Sequence, residues 1–133
     1  MPRAEFLILA LLCVHVALGL LCLGAARGEA DARGLRLWGA GLVVYSAGIA
    51  VTLAGEPTKA AALFAGNVLI GLSSIVTTLA ALHYTKRGLD LTSAFVGLGI
   101  MAVALAYGNF LLSPPNHGFN VVAPTILATV LFV

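Results

Sequence analysis

Few side chains in this sequence could do chemistry, and their spacing limits what that chemistry could be. His15, His83 and His117 raise the question of a haem or a metal. Counted by helical rise, His83 ends one apolar run, His117 lies in a polar joint and His15 falls between them. Each is about half of a ~30 Å hydrocarbon layer from the next. Two axial ligands of one haem must reach the iron from a common level, and no carboxylate or thiolate joins a histidine at ligand spacing. We expect neither metal nor cofactor. Cys13 and Cys22 stand nine residues apart in one apolar run, on opposite helix faces and roughly 13 Å apart along the axis. No disulfide can join them within the chain, and they read as small buried hydrophobes.

The other polar residues group by depth. His15, Tyr45 and Ser74 fall within several ångströms of one level, where a hydrogen-bonded cluster can form. An unpaired polar group in hydrocarbon is costly, so His15 is expected to be neutral and bonded to Tyr45, Ser74 or a backbone carbonyl. Asn67, Asn109 and His117 fall toward the opposite, outer surface, within reach of a ligand from outside. These residues are the candidate polar or ligand-binding set. No paired carboxylates, glycine-rich phosphate loop or nucleophile motif occurs, so no residue is assigned a catalytic role.

Helices must position these groups. The chain has 133 residues, 61% hydrophobic and 9% charged, with a mean hydropathy of +1.08. A soluble domain is about half apolar and a quarter charged, so the implied partner here is a lipid bilayer. The net charge of +2, with no basic stripe interleaved with aromatics, points away from nucleic acid.

Charged and turn-forming residues divide the chain into apolar runs at about 6–26, 37–55, 60–84, 91–112 and 120–133. The first four reach the roughly 20 residues that cross a bilayer, and none carries Lys, Arg, Asp or Glu in its middle. The last is too short to cross. We therefore expect an all-α membrane protein forming one transmembrane domain over 1–133. Its expected form is an antiparallel multi-pass bundle of four complete helices plus a truncated fifth, expected to be the N-terminal fragment of a longer chain. A cleaved signal peptide fits the first run poorly, since its apolar stretch is too long and its head carries Glu5 beside Arg3. Arg27, Arg33 and Arg36 follow run one, and Lys86 and Arg87 follow run three. Only Arg3 and Lys59 mark the other side. By the positive-inside rule the N-terminus is expected outside and the C-terminus in the cytoplasm.

Small and polar residues recur at helical spacing along each run. They are His15, Gly19, Cys22 and Ala26; Trp38, Gly41, Tyr45, Gly48 and Thr52; Asn67, Gly71, Ser74 and Thr78; and Ser93, Gly97, Ala104 and Gly108. Such stripes allow close backbone approach between membrane helices, with Gly41, Gly48, Gly71 and Gly97 as the packing positions. Val51 and Val68 are expected to face lipid and to tolerate Leu.

Arg36-Leu37-Trp38-Gly39, Gly41-Leu42, Gly48, Glu56-Pro57, Ala65-Gly66-Asn67-Val68-Leu69 and Gly71-Leu72 together resemble the N-terminal membrane region of bacterial GGDEF-type diguanylate cyclases. The resemblance covers about residues 36–87. It implies a sensory and signal-transmitting membrane module, homodimeric through its helices or through a cytoplasmic domain beyond Val133 that makes cyclic di-GMP. No residue of that catalytic domain is present. Leu82-His83-Tyr84-Thr85 is similar to the MHYT signature of another membrane sensor class, but it occurs once and carries no assignment. The alternative reading is a small multi-pass transporter or transporter subunit, for which His15 alone could serve as the intramembrane ionisable group.

Overall fold

A lipid interior offers no partner for a free N–H or C=O, so an apolar chain that enters it must bond its backbone within the segment. The computed structural model, which describes residues 3–28, 32–54, 59–85 and 90–112 with Ala123 and Leu127, is helical along these runs. In order they are α1 (Arg3–Ala25), a 3₁₀ turn (Ala26–Gly28), α2 (Arg33–Ala54), α3 (Lys59–Thr85), α4 (Leu91–Ala106) and a π turn (Tyr107–Leu111). Among the described residues, four spans are long and apolar enough to cross a membrane. α2 starts four residues earlier than its apolar run, taking in Arg33 and Arg36. Long basic side chains at a helix end can reach the interface while the backbone continues. Of the fifth run only Ala123 and Leu127 are described, and both are helical and buried.

The helices pack in chain order. α2 lies mainly against α3, α1 lies against α2, and α4 with its π turn covers α3. What is buried inverts the pattern of a soluble protein. Leu7, Leu21, Val103 and Leu111 are each more than 65% exposed, while Gly34, Gly39, Gly41, Ser46, Gly48, Gly66, Ser73 and Thr78 are buried. Lipid tails are as apolar as Leu, so burying Leu gains little there, and close backbone packing decides the contact. Met101, Leu105 and Leu127, among the largest fully buried side chains described, form a separate cluster with Ala123, and Phe64, Val68, Leu98 and Ala104 pack against it. Val68 is therefore not lipid-facing. It belongs to the surface of α3 that meets α4. Trp38 departs from its expected seam in the other direction and is 43% exposed.

Glycine contacts define the seams. A Cβ on Gly48 would lie 2.7 Å from the Gly66 carbonyl, and one on Gly66 would meet the Gly48 carbonyl at 2.7 Å. A Cβ on Gly39 would lie 2.8 Å from the Gly19 carbonyl, and one on Gly19 would lie 3.0 Å from that of Gly39. Both crossings are backbone against backbone. Gly34, Gly41 and Gly48 recur every seven residues on α2. They meet in turn His83 and Tyr84, then Ser73 and Thr77, then Gly66 and Ile70. Gly71 faces the Met101 thioether and Leu127, and Gly97 is buried on α4.

At the start of α4, Asp90 is extended, and its carboxylate accepts from the Thr92 amide at 3.0 Å and the Ser93 hydroxyl at 2.5 Å. These bonds, with the Ser93 hydroxyl foremost, hold the carboxyl below its ordinary value near 3.8. A lowered folded pKa means that the cap's contribution is complete above 3.8 and is lost as pH falls through the lowered value. Amide exchange at Thr92, corrected for intrinsic rates, should accelerate across that range. Asp90→Ala should be fast at every pH.

Candidate functional site

α1, α2 and α3 enclose a cleft of about 240 Å³ lined by His15, Gly41, Leu42, Tyr45, Ser73, Ser74 and Thr77. His15 reaches it from α1, Tyr45 from α2, and the three hydroxyls from α3. Gly41 lets Thr77 and the Ser73 backbone close on α2, and beside that contact Ser73, Ser74 and Thr77 are too short to fill the space between the helices. The His15 and Tyr45 rings sit 5.1 Å apart and tilted by 38°.

Hydrogen bonding in the cleft is mostly local to each helix. His15 Nδ1 lies 2.7 Å from the Leu11 carbonyl. A carbonyl can only accept, so Nδ1 carries the proton and, in the neutral ring, Nε2 is an acceptor. Ser73 and Ser74 donate to the Ile70 carbonyl at 2.7 and 3.1 Å, and Thr77 donates to the Ser73 carbonyl at 3.0 Å. The expected hydrogen-bonded triad of His15, Tyr45 and Ser74 thus takes the form of one ring contact and two intrahelical bonds. Donors are consumed and lone pairs remain, so the cleft offers acceptors from Nε2 and three hydroxyl oxygens, with the Tyr45 phenol as an additional polar group. It suits a small molecule rich in donors. It lacks an activated nucleophile, because the Ser74 hydroxyl is bonded to Ile70 and not to His15.

The remaining candidates lie elsewhere. Asn67 is buried on α3 and donates to the Leu63 carbonyl at 2.8 Å. Asn109 is buried in the π turn and donates to the Leu105 carbonyl at 2.9 Å. The two fall between the Gly71–Met101 contact and the Phe64–Phe110 edge-to-face pair at 5.8 Å, away from the His15 cleft. His83 packs with Tyr84 against Gly34 at the other end of α3. His117 lies outside the described residues. Among the described residues no three His, Cys, Asp or Glu side chains cluster as a metal site would require. The residues that sequence reasoning missed are Ser73 and Thr77. Their signal was available, because Gly66, Ser73 and Ala80 repeat every seven residues with Ile70, Thr77 and Tyr84 between them.

No known protein family, curated protein or solved structure matches this chain.

The His15 contact makes a definite prediction. Its bond goes to a carbonyl of its own helix, so His15→Leu should cost less than about 0.6 kcal/mol, the average for bonds between membrane helices. His15→Gln, which keeps a donor, should be neutral. Thermal unfolding in detergent reads both, and a loss of about 1–2 kcal/mol for His15→Leu would show that the imidazole bridges helices.

Proposed function

We propose that the chain is a membrane-embedded sensory and signal-transmitting module of a bacterial inner membrane. In this reading the cleft between α1, α2 and α3 is the input, and a change in helix packing is the output. One observation carries it. The backbone of α1, which supplies His15 to the cleft, comes close to that of only one other long described helix, α2, across the Gly19–Gly39 crossing. A small molecule seated between His15 and Tyr45 must act on that single contact. A sub-ångström change there is passed on because packed interfaces switch between discrete arrangements and do not deform smoothly.

The helices run antiparallel, and the order of their contacts supports this. His15 pairs with Tyr45 while Gly19 and Leu23 pair with Gly39, and Gly48 pairs with Gly66 while Gly34 pairs with His83. A fifth helix is supported by Ala123 and Leu127, four residues apart and both packed on Met101 and Leu105. The basic joints face the cytoplasm, two copies associate through the membrane helices, and the output is a diguanylate cyclase domain. The last element rests on the resemblance of residues 36–87.

A fusion of residues 1–133 to a dimeric GGDEF domain, expressed in cells that make no cyclic di-GMP, tests the reading. Tyr45→Leu, which removes the phenol from the cleft, and Ser74→Leu, which fills it, should each change cyclic di-GMP several-fold at equal membrane abundance. Val103→Leu on the exposed surface of α4 should leave it unchanged. Identical output from all three would sink the proposal.

A further inference from the structure

A second recess, of about 470 Å³, opens between the end of α1 and the start of α2, lined by Leu23, Arg33, Arg36, Leu37 and Ala40. The four α2 residues fall at positions i, i+3, i+4 and i+7, one face of the helix. That face grades from two exposed guanidiniums at the helix end to Leu37 and Ala40 one to two turns further in, with Leu23 of α1 as the opposite wall. The volume lies within the roughly 300–1,000 Å³ of ligand pockets.

We propose that this recess seats one anionic phospholipid, its phosphate between Arg33 and Arg36 and its acyl chain along Leu37, Ala40 and Leu23. Guanidinium groups match phosphate oxygens through paired N–H donors, and basic pockets between membrane helices hold anionic head groups. A free anion would use the two arginines and leave the apolar wall uncovered, whereas a lipid uses both. The site is independent of any signalling output and rests only on these helices lying in a bilayer.

Native mass spectrometry of the chain in mixed micelles with equal phosphatidylglycerol and phosphatidylcholine tests it. One phosphatidylglycerol should be retained, and Arg33→Gln with Arg36→Gln should lower that preference by about 30-fold, as two guanidiniums at a membrane surface would. Lys59→Gln, at the start of α3, should retain it. Ala40→Phe leaves both guanidiniums and fills the apolar wall, so retention should fall with helicity unchanged by circular dichroism. Equal retention of the two lipids would overturn the proposal. Undiminished binding by the double variant would do so too, as would displacement of the lipid by millimolar inorganic phosphate, the mark of a simple anion site. Carbonate extraction of the same membranes reports separately whether the chain is integral.

Discussion

Gly48→Leu should lower the thermal midpoint of the detergent-solubilised protein sharply, by the equivalent of about 3 kcal/mol, the upper end for overpacking. The added Cβ would sit 2.7 Å from the Gly66 carbonyl, 2.8 Å from Ile70 Cγ1 and 3.1 Å from the Ile70 amide nitrogen. Two of those neighbours are backbone, so relief requires α2 and α3 to separate along their main contact. Gly71 gives the contrast. Its new Cβ would meet the terminal methyl of Met101, the sulfur and a Leu127 methyl, all flexible side-chain ends. Gly71→Ala should therefore cost about 1 kcal/mol or less. Gly99, with nothing within 4 Å, should accept Leu without loss. Equal losses at Gly48 and Gly99 would show that these seams do not hold the bundle.

Gly39→Val should release α1 while the rest of the bundle stays folded. The new Cβ would lie 2.8 Å from the Gly19 carbonyl, 2.9 Å from Leu23 Cγ and 3.1 Å from Cys22 Cβ, and α2 is the only other long described helix whose backbone lies close to that of α1. The native cysteines report this directly. Cys22 is half-buried beside Gly39 and Cys13 is exposed. A membrane-permeant maleimide should label Cys22 of the variant about tenfold faster, a shift of about 1.4 kcal/mol in the docking equilibrium. Labelling of Cys13 should be unchanged. A Cys22 rate equal to wild type would mean that α1 docks by some other surface. The His15–Tyr45 contact should be lost with it, which makes this variant a probe of the cleft as well.

The membrane class, the four long spans and most of their bounds follow from the residues alone. Hydropathy adds residue by residue, so a run such as 60–84 declares itself without knowledge of its neighbours. The packing glycines were legible in part. Gly41, Gly48 and Gly71 stood out by spacing, and each is buried. Their partners were not legible, nor was the difference between Gly48 against backbone and Gly71 against a thioether. Depth counting brought His15, Tyr45 and Ser74 to one level, and the cleft joins them. It could not say that the Ser74 hydroxyl would turn to the Ile70 carbonyl of its own helix, because a local carbonyl competes with any partner across the seam and the seam's geometry decides between them.

Only the tertiary structure decided how each helix is rotated. In a soluble protein the polar face of a helix points to water and sets that rotation. Here both faces are apolar, so Val68 could be read toward lipid though it packs on the Met101 cluster, and Trp38 toward a seam though it faces out. Rotation follows instead from which backbones can approach most closely, a property of pairs such as Gly48 with Gly66 and Gly19 with Gly39. A pair 18 or 20 residues apart in sequence has no signature in either segment by itself.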